Sequence, residues 1–273
     1  MGVNGSLDAG LTPEMKKNLF GNAYLNMLWH CPSDPRFHYW VHLPDCYYDE
    51  EKPDYTLFII IQHTGRTIEE YMRAAQELTD SRHIALMAPV FPGGLVERDD
   101  INSYKLLSDQ GIRYDLALLS MVDDMAARYP GVNTEKFFMF GHSGGGQFVN
   151  RFLFVHPNRL KAVSIGAPGR PTFLNFEEDY FWGVRDFKKY FDKELDLEAV
   201  KKVPVQITVG EKDTLFIGDS PYGDNRVSRM KSLKKNLEEN GISTELEILP
   251  GLAHEAGDRE RVQTALRFFE KLQ

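Results

Sequence analysis

The run Gly141-His142-Ser143-Gly144-Gly145 has the clearest chemical content in the sequence. It matches G-x-S-x-G, where a tight strand-to-helix turn holds a serine hydroxyl out at the edge of a sheet. A side chain at Gly141 or Gly145 would clash as strand and helix fold back on each other around the serine. A hydroxyl is a weak nucleophile at neutral pH unless a base takes its proton. Eight histidines could supply that base. His30, His38 and His42 fall on early strand-like runs, and His156 precedes Pro157 at a helix end, where a positive charge suits the dipole. His254 stands in the loop Pro250-Gly251-Leu252-Ala253-His254, just after the last strand-like run. That is the carboxyl edge, where parallel sheets place their sites.

A carboxylate is then needed to hold the imidazole's tautomer and stabilise its cation. Asp213, in Gly210-Glu211-Lys212-Asp213 after the run Pro204–Val209, is the first choice; Glu211, Asp186 and Asp219 compete with it. Acyl transfer also needs N–H donors for a developing oxyanion. One is expected from Gly144, the residue after the serine, and another from Gln62-His63-Thr64-Gly65-Arg66. A phosphate loop is the rival reading of the glycines. It fails because Gln147-Phe148 follows where a Walker loop needs Lys-Ser/Thr, and Ser143 occupies the second glycine of G-x-G-x-x-G.

The elements that must position these groups follow from apolar periodicity. Half-buried strands are expected near Ala23–His30 and Phe37–Leu43. Buried strands are expected at Tyr55–Gln62, Ile84–Val90, Phe137–Gly141, Ala162–Ala167, Pro204–Val209 and Thr244–Leu249. Helical spacing covers Thr67–Leu78, Asp115–Tyr129, Ser143–His156, Ser228–Asn240 and Arg259–Leu272, with a further helix starting at Thr12-Pro13. Strands alternating with helices need crossovers, which implies an α/β fold: a mostly parallel eight-stranded sheet with helices on both faces and an antiparallel leading edge. No repeat or linker-like tract interrupts the chain, so a single domain over residues 1–273 is expected, with an insertion at about 169–203. That insertion holds eight aromatics between Phe173 and Phe191. They either pack it down as a helical hairpin or line a pocket, and Phe181 and Trp182 are the expected substrate contacts.

From the strand ending at His63 to His254, the chain resembles the α/β-hydrolase superfamily. The likeness is to its small serine esterases, of the polyhydroxybutyrate-depolymerase or feruloyl-esterase kind. The order Ser143, Asp213, His254 is the order of that superfamily. The resemblance implies an α/β-hydrolase fold with a small lid insertion and a Ser-Asp-His triad. It also implies an oxyanion loop of the form His-Gly-x. Here that loop reads His63-Thr64-Gly65, which puts Gly65 at the donor position, or Arg66 if the loop registers on Gly65.

The expected function is hydrolysis of a carboxylic ester or lactone through an acyl-enzyme. Carbon–carbon bond hydrolysis, acyl transfer and a non-catalytic ligand receptor are the alternatives. No cofactor or metal is expected, since neither H-E-x-x-H nor paired Cys-x-x-Cys occurs. The net charge of −8, with no basic stripe, argues against nucleic acid. It also leads to the expectation of a neutral substrate. No apolar run approaches the roughly 20 residues of a membrane span. Two cysteines and no leader-like start point to the cytoplasm. The Met1-Gly2…Ser6 acylation pattern and the Asn4 sequon read as chance matches.

Overall fold

The structure is a computed structural model that describes residues 10–20, 25–49, 53–79 and 82–272. The N-terminal acylation and glycosylation patterns lie outside the described residues, as does the start of the first expected strand. The chain runs through α1 (Pro13–Phe20), β1 (Asn26–His30), β2 (His38–His42), β3 (Tyr55–Ile61), α2 (Glu69–Thr79) and β4 (Ile84–Val90). A two-residue hairpin, β5 (Ser108–Asp109) and β6 (Ile112–Arg113), leads into α3 (Tyr114–Arg128). Then come β7 (Val132–His142), α4 (Gly144–Val155), β8 (Leu160–Gly166), α5 (Phe187–Phe191) and α6 (Leu197–Val200). The chain closes through β9 (Val205–Gly210), α7 (Arg226–Glu239), β10 (Thr244–Leu249) and α8 (Asp258–Glu270).

Eight strands form one sheet in the order β1-β2-β4-β3-β7-β8-β9-β10. Every pairing from β4 to β10 is parallel, while β2 is antiparallel to both β1 and β4. The antiparallel leading edge follows from the short connection between β1 and β2, which leaves no room for a crossover helix. β7 begins earlier than apolarity alone indicates. Val132 and Asn133 pair with Tyr55 and Thr56 before a register shift brings Phe138 opposite Phe58.

Alternate residues of the central strands bury into two separate cores, as the period of two requires. Phe58, Ile60, Leu86, Phe138 and Phe140 pack under α2 and α8. Leu57, Ile59, Met87, Met139 and Ile165 pack under α3, α4 and α7. The α8 side is closed by Phe269, which stacks on Phe138 at 4.5 Å between ring centres and meets Phe58 edge-on at 5.4 Å. The insertion is less regular than a helical hairpin. Its helices are only the short α5 and α6, joined by turns.

Phe269 is 1% exposed, so Phe269→Ala leaves a cavity between α8 and the sheet. Equilibrium unfolding in urea should show a loss of about 3–5 kcal/mol. A loss below about 1 kcal/mol would mean that α8 is not packed as described.

Candidate active site

The backbone around Ser143 is tightly constrained. β7 ends at His142, α4 begins at Gly144, and Ser143 between them has φ 54° and ψ −112°. A Cβ on Gly141 would lie 2.5 Å from the Gly145 carbonyl, and one on Gly146 would strike the Gly166 carbonyl at the end of β8. A hydrogen bond from Ser143 N–H to the Gly166 carbonyl, 2.8 Å, fixes the turn to the neighbouring strand. The result is a hydroxyl raised above the carboxyl edge of the sheet.

Asp213 and His254 reach the same point from the ends of β9 and β10. His254 Nδ1 lies 2.6 Å from Asp213 Oδ2, and His254 Nε2 lies 3.0 Å from Ser143 Oγ. An ionised carboxylate can only accept, so Nδ1 carries the ring proton and Nε2 is left to accept from the Ser143 hydroxyl. Asp213 is 2% exposed and also meets Arg226 Nη1 at 3.4 Å. Glu211 has a different place: its Oε2 accepts from the Gly251 N–H at 2.8 Å, bracing the loop that carries His254. Asp186 accepts from the Tyr180 N–H within the insertion, and Asp219 is exposed.

Two residues that sequence reasoning passed over hold the His254 loop from below. His142 Nε2 donates to the His254 carbonyl at 3.0 Å, and Arg261 Nη2 donates to the Ala253 and His254 carbonyls at 2.7 and 3.1 Å. Burial pushes the His142 pKa well below the usual imidazole range, with the Arg261 and His254 charges pushing the same way. The only sequence signal for His142 was its place beside the serine.

His156 is bonded to the buried Asp115 at 2.8 Å, and burial lowers its pKa against the opposing pull of that carboxylate.

The oxyanion loop differs from what the resemblance implies. The Gly65 N–H donates to His63 Nδ1 at 3.0 Å, and the Arg66 N–H donates to the His63 carbonyl at 3.0 Å. Both expected amides are therefore committed to His63. Thr64 is the loop residue set against Gly144: a Cβ on Gly144 would meet Thr64 Oγ1 at 2.7 Å.

Two cavities share Ser143 and Thr64. The larger, about 400 Å³, is lined by Lys105, Gln147, Arg170, Phe181, Arg226 and Arg229, among others. The smaller, about 290 Å³, is lined by His254, His63, Glu70, Glu255 and Asp258, among others. Phe181 lies on the wall of the larger cavity. Trp182 is not part of that wall; its ring stacks with Tyr222 at 6.0 Å and receives the Arg229 guanidinium at 5.3 Å, so it packs the insertion down. The expectation of a neutral substrate, drawn from the overall negative charge, meets a cavity whose ionisable lining is entirely cationic. Among the described residues, no group of three or more His, Cys, Asp or Glu could hold a metal, and no helix is long and apolar enough to cross a membrane.

No protein-family model matches the chain, and no curated protein matches it in sequence. Solved structures match it in fold. A poly(3-hydroxybutyrate) depolymerase from Bordetella parapertussis superposes with a TM-score of 0.72 at 19% identity, covering 96% of this chain and 95% of that one. A poly(aspartic acid) hydrolase from Sphingomonas sp. KT-1 gives 0.71 at 19% identity, over 89% and 96%. A fluorophosphonate-binding serine hydrolase from Staphylococcus aureus gives 0.61 at 16% identity, over 90% and 96%. The chain has the α/β-hydrolase fold, as the sequence led us to expect.

The buried neutral His142 makes a pH prediction. The unfolded imidazole binds a proton near pH 6.5 and the folded one does not, so stability is held above about pH 6.5 and lost as pH falls below it. Burial of His156 acts in the same direction. The thermal midpoint should therefore fall between pH 7 and pH 5. His142→Gln, which keeps an N–H for the His254 carbonyl, should flatten that fall. An identical slope in both proteins would contradict the assignment.

Proposed function

We propose that the protein is a serine hydrolase that cleaves a carboxylic ester or lactone through an acyl-enzyme. Ser143 is the nucleophile, His254 the general base and then acid, and Asp213 the partner of the imidazole. The observation that carries this reading is the unbroken line of hydrogen bonds from Ser143 Oγ to His254 Nε2 and from Nδ1 to Asp213, at 3.0 and 2.6 Å. The depolymerase and the serine hydrolase that share the fold support it.

In the first step Ser143 Oγ attacks the substrate carbonyl carbon as its proton passes to His254 Nε2, and the carbonyl electrons move onto oxygen. Collapse expels the alcohol, which takes the proton from His254, and leaves an ester on Ser143. Water then attacks, its proton goes to His254, and the Ser143 oxygen leaves with that proton as the acid is released. The Asp213 carboxylate stabilises the imidazolium in both halves. The Gly144 N–H lies in the first turn of α4, where the amides have no carbonyl four residues back, and is free to meet the oxyanion. Thr64 contributes the second donor N–H, in place of Gly65, because the Gly65 and Arg66 amides are spent on His63. The segment at about 169–203 acts as a small cap on the domain, with Phe181 its apolar contact to the acyl group.

Ser143→Ala should abolish labelling by a fluorophosphonate probe and lower kcat by about 10⁶. Asp213→Asn should reduce kcat by about 10⁴, and Glu211→Gln should cost far less. Full ester hydrolysis by folded Ser143→Ala would sink the reading. Absence of labelling in the parent protein would favour a ligand receptor on the same fold.

A further inference from the structure

We propose that the larger cavity beside Ser143 takes an acyl group ending in a carboxylate, held by the Lys105 ammonium and the Arg170 and Arg226 guanidiniums. This rests on the hydrolase reading and names its substrate class: a half-ester of a dicarboxylic acid, or an ester unit of a carboxylate-bearing polymer.

The chain carries a net charge of −8, yet Lys105, Arg170, Arg226 and Arg229 converge on one cavity whose described lining contains no carboxylate. Their partners leave most of that charge uncompensated. Lys105 Nζ donates to the neutral Asn102 Oδ1 at 2.6 Å. Arg229 donates to the Gly223 and Gly218 carbonyls at 3.0 and 2.5 Å and to the Gly169 carbonyl. Arg226 has one carboxylate, Asp213, at 3.4 Å, and its buried Nε–H finds no acceptor among the described residues. Arg170 stands exposed at the rim.

Beneath them lies Arg151, 1% exposed, which donates to the Lys105 carbonyl at 2.6 Å and the Arg170 carbonyl at 2.8 Å. It ties together the backbones of two cavity cations and adds a further charge whose hydrogen-bond partners are all neutral. Burial lowers the Lys105 pKa to about 8; Arg66, Arg151 and Arg170 repel its proton while Asp100 favours it. Lys105 and Arg229 are buried without a carboxylate partner, which is unfavourable for a cation, and a carboxylate arriving at the cavity gains charge-assisted hydrogen bonds.

The orientation follows from the proton. His254 gives its proton to the departing alcohol, so the leaving group belongs in the smaller cavity, which His254 lines together with Glu70, Glu255 and Asp258. Those carboxylates repel an anion there. The acyl chain is left with the cationic side.

The test uses phenyl esters of equal chain length: monophenyl adipate, phenyl hexanoate and phenyl 6-aminohexanoate. kcat/KM for the adipate should exceed that for the hexanoate by roughly ten- to a hundred-fold, the range of charge-assisted hydrogen bonds, and the amino ester should be poorest. Arg170→Gln and Lys105→Gln should each shrink the adipate-to-hexanoate ratio about tenfold. Arg226 is left intact because it touches Asp213. Calorimetric titration of adipate into Ser143→Ala reads the anion site without turnover, and binding should weaken in the double variant with Arg170→Gln. A ratio near one in a protein whose Ser143 labels, or no adipate binding, overturns the inference and leaves the hydrolase reading standing. Adipate binding without labelling of the parent overturns the hydrolase reading and leaves the anion site.

Discussion

The close approach of three backbones at Gly141, Gly145 and Gly166 governs the rest of this molecule. Only there can β7 turn into α4 within a single residue, and that residue, Ser143, is held at a positive φ of 54°. For a residue with a Cβ, such a conformation costs about 1–3 kcal/mol and persists only where its surroundings over-determine it. Here the surroundings are the glycine contacts and the Ser143 N–H bond to the Gly166 carbonyl. The same turn aims the first amides of α4 and the serine hydroxyl at one point. Asp213 and His254 can meet that point because β8, β9 and β10 follow β7 in strict parallel order. The β9 and β10 loops therefore emerge on the same edge.

Arginines lock the loops around that point. Arg261 and His142 hold the His254 loop, Arg151 holds the segments bearing Lys105 and Arg170, and Arg229 holds the turns at Gly169, Gly218 and Gly223. Each guanidinium offers five donors in a rigid fork, so one side chain can gather several carbonyls of irregular loops. The arrangement satisfies the loop carbonyls, and Arg151 and Arg229 hydrogen-bond only neutral acceptors, whereas Arg261 has Asp258 at 3.6 Å. The positive potential on one side of Ser143 is thus linked to how the loops are built. On the other side, Glu70, Glu255 and Asp258 set the opposite sign, which makes the cleft polar along its length.

The sheet was legible in the sequence because burial on both faces leaves continuous apolar runs such as Tyr55–Ile61, and because the serine motif is local. Ser143 and His254 were legible for the same reason, each being adjacent to a strand end. Choosing between Glu211 and Asp213 needed three dimensions. Both sit in one turn after β9, and only the fold sends Glu211 to the Gly251 amide and Asp213 to the imidazole. The cationic cavity was hidden because its members come from separate segments of the chain, and an overall charge of −8 says nothing about where the minority sign gathers. Phe181 and Trp182 are neighbours in sequence but do different jobs. Phe181 faces the cavity, whereas Trp182 packs between Tyr222 and Arg229. Aromatic count alone cannot separate lining from anchoring.

The central claim is that Ser143 carries the acyl group during turnover. The tryptic peptide Phe137–Arg151 contains one serine, no threonine, tyrosine, lysine or cysteine, and so isolates that hydroxyl. Reaction with an ester under rapid acid quench, followed by mass analysis of that peptide, reads the intermediate directly. A mass increase equal to the acyl group is expected, located on Ser143 by fragmentation and absent before substrate is added. Turnover of the ester with the acyl mass on another peptide, or with no acylated peptide at any quench time, would contradict it.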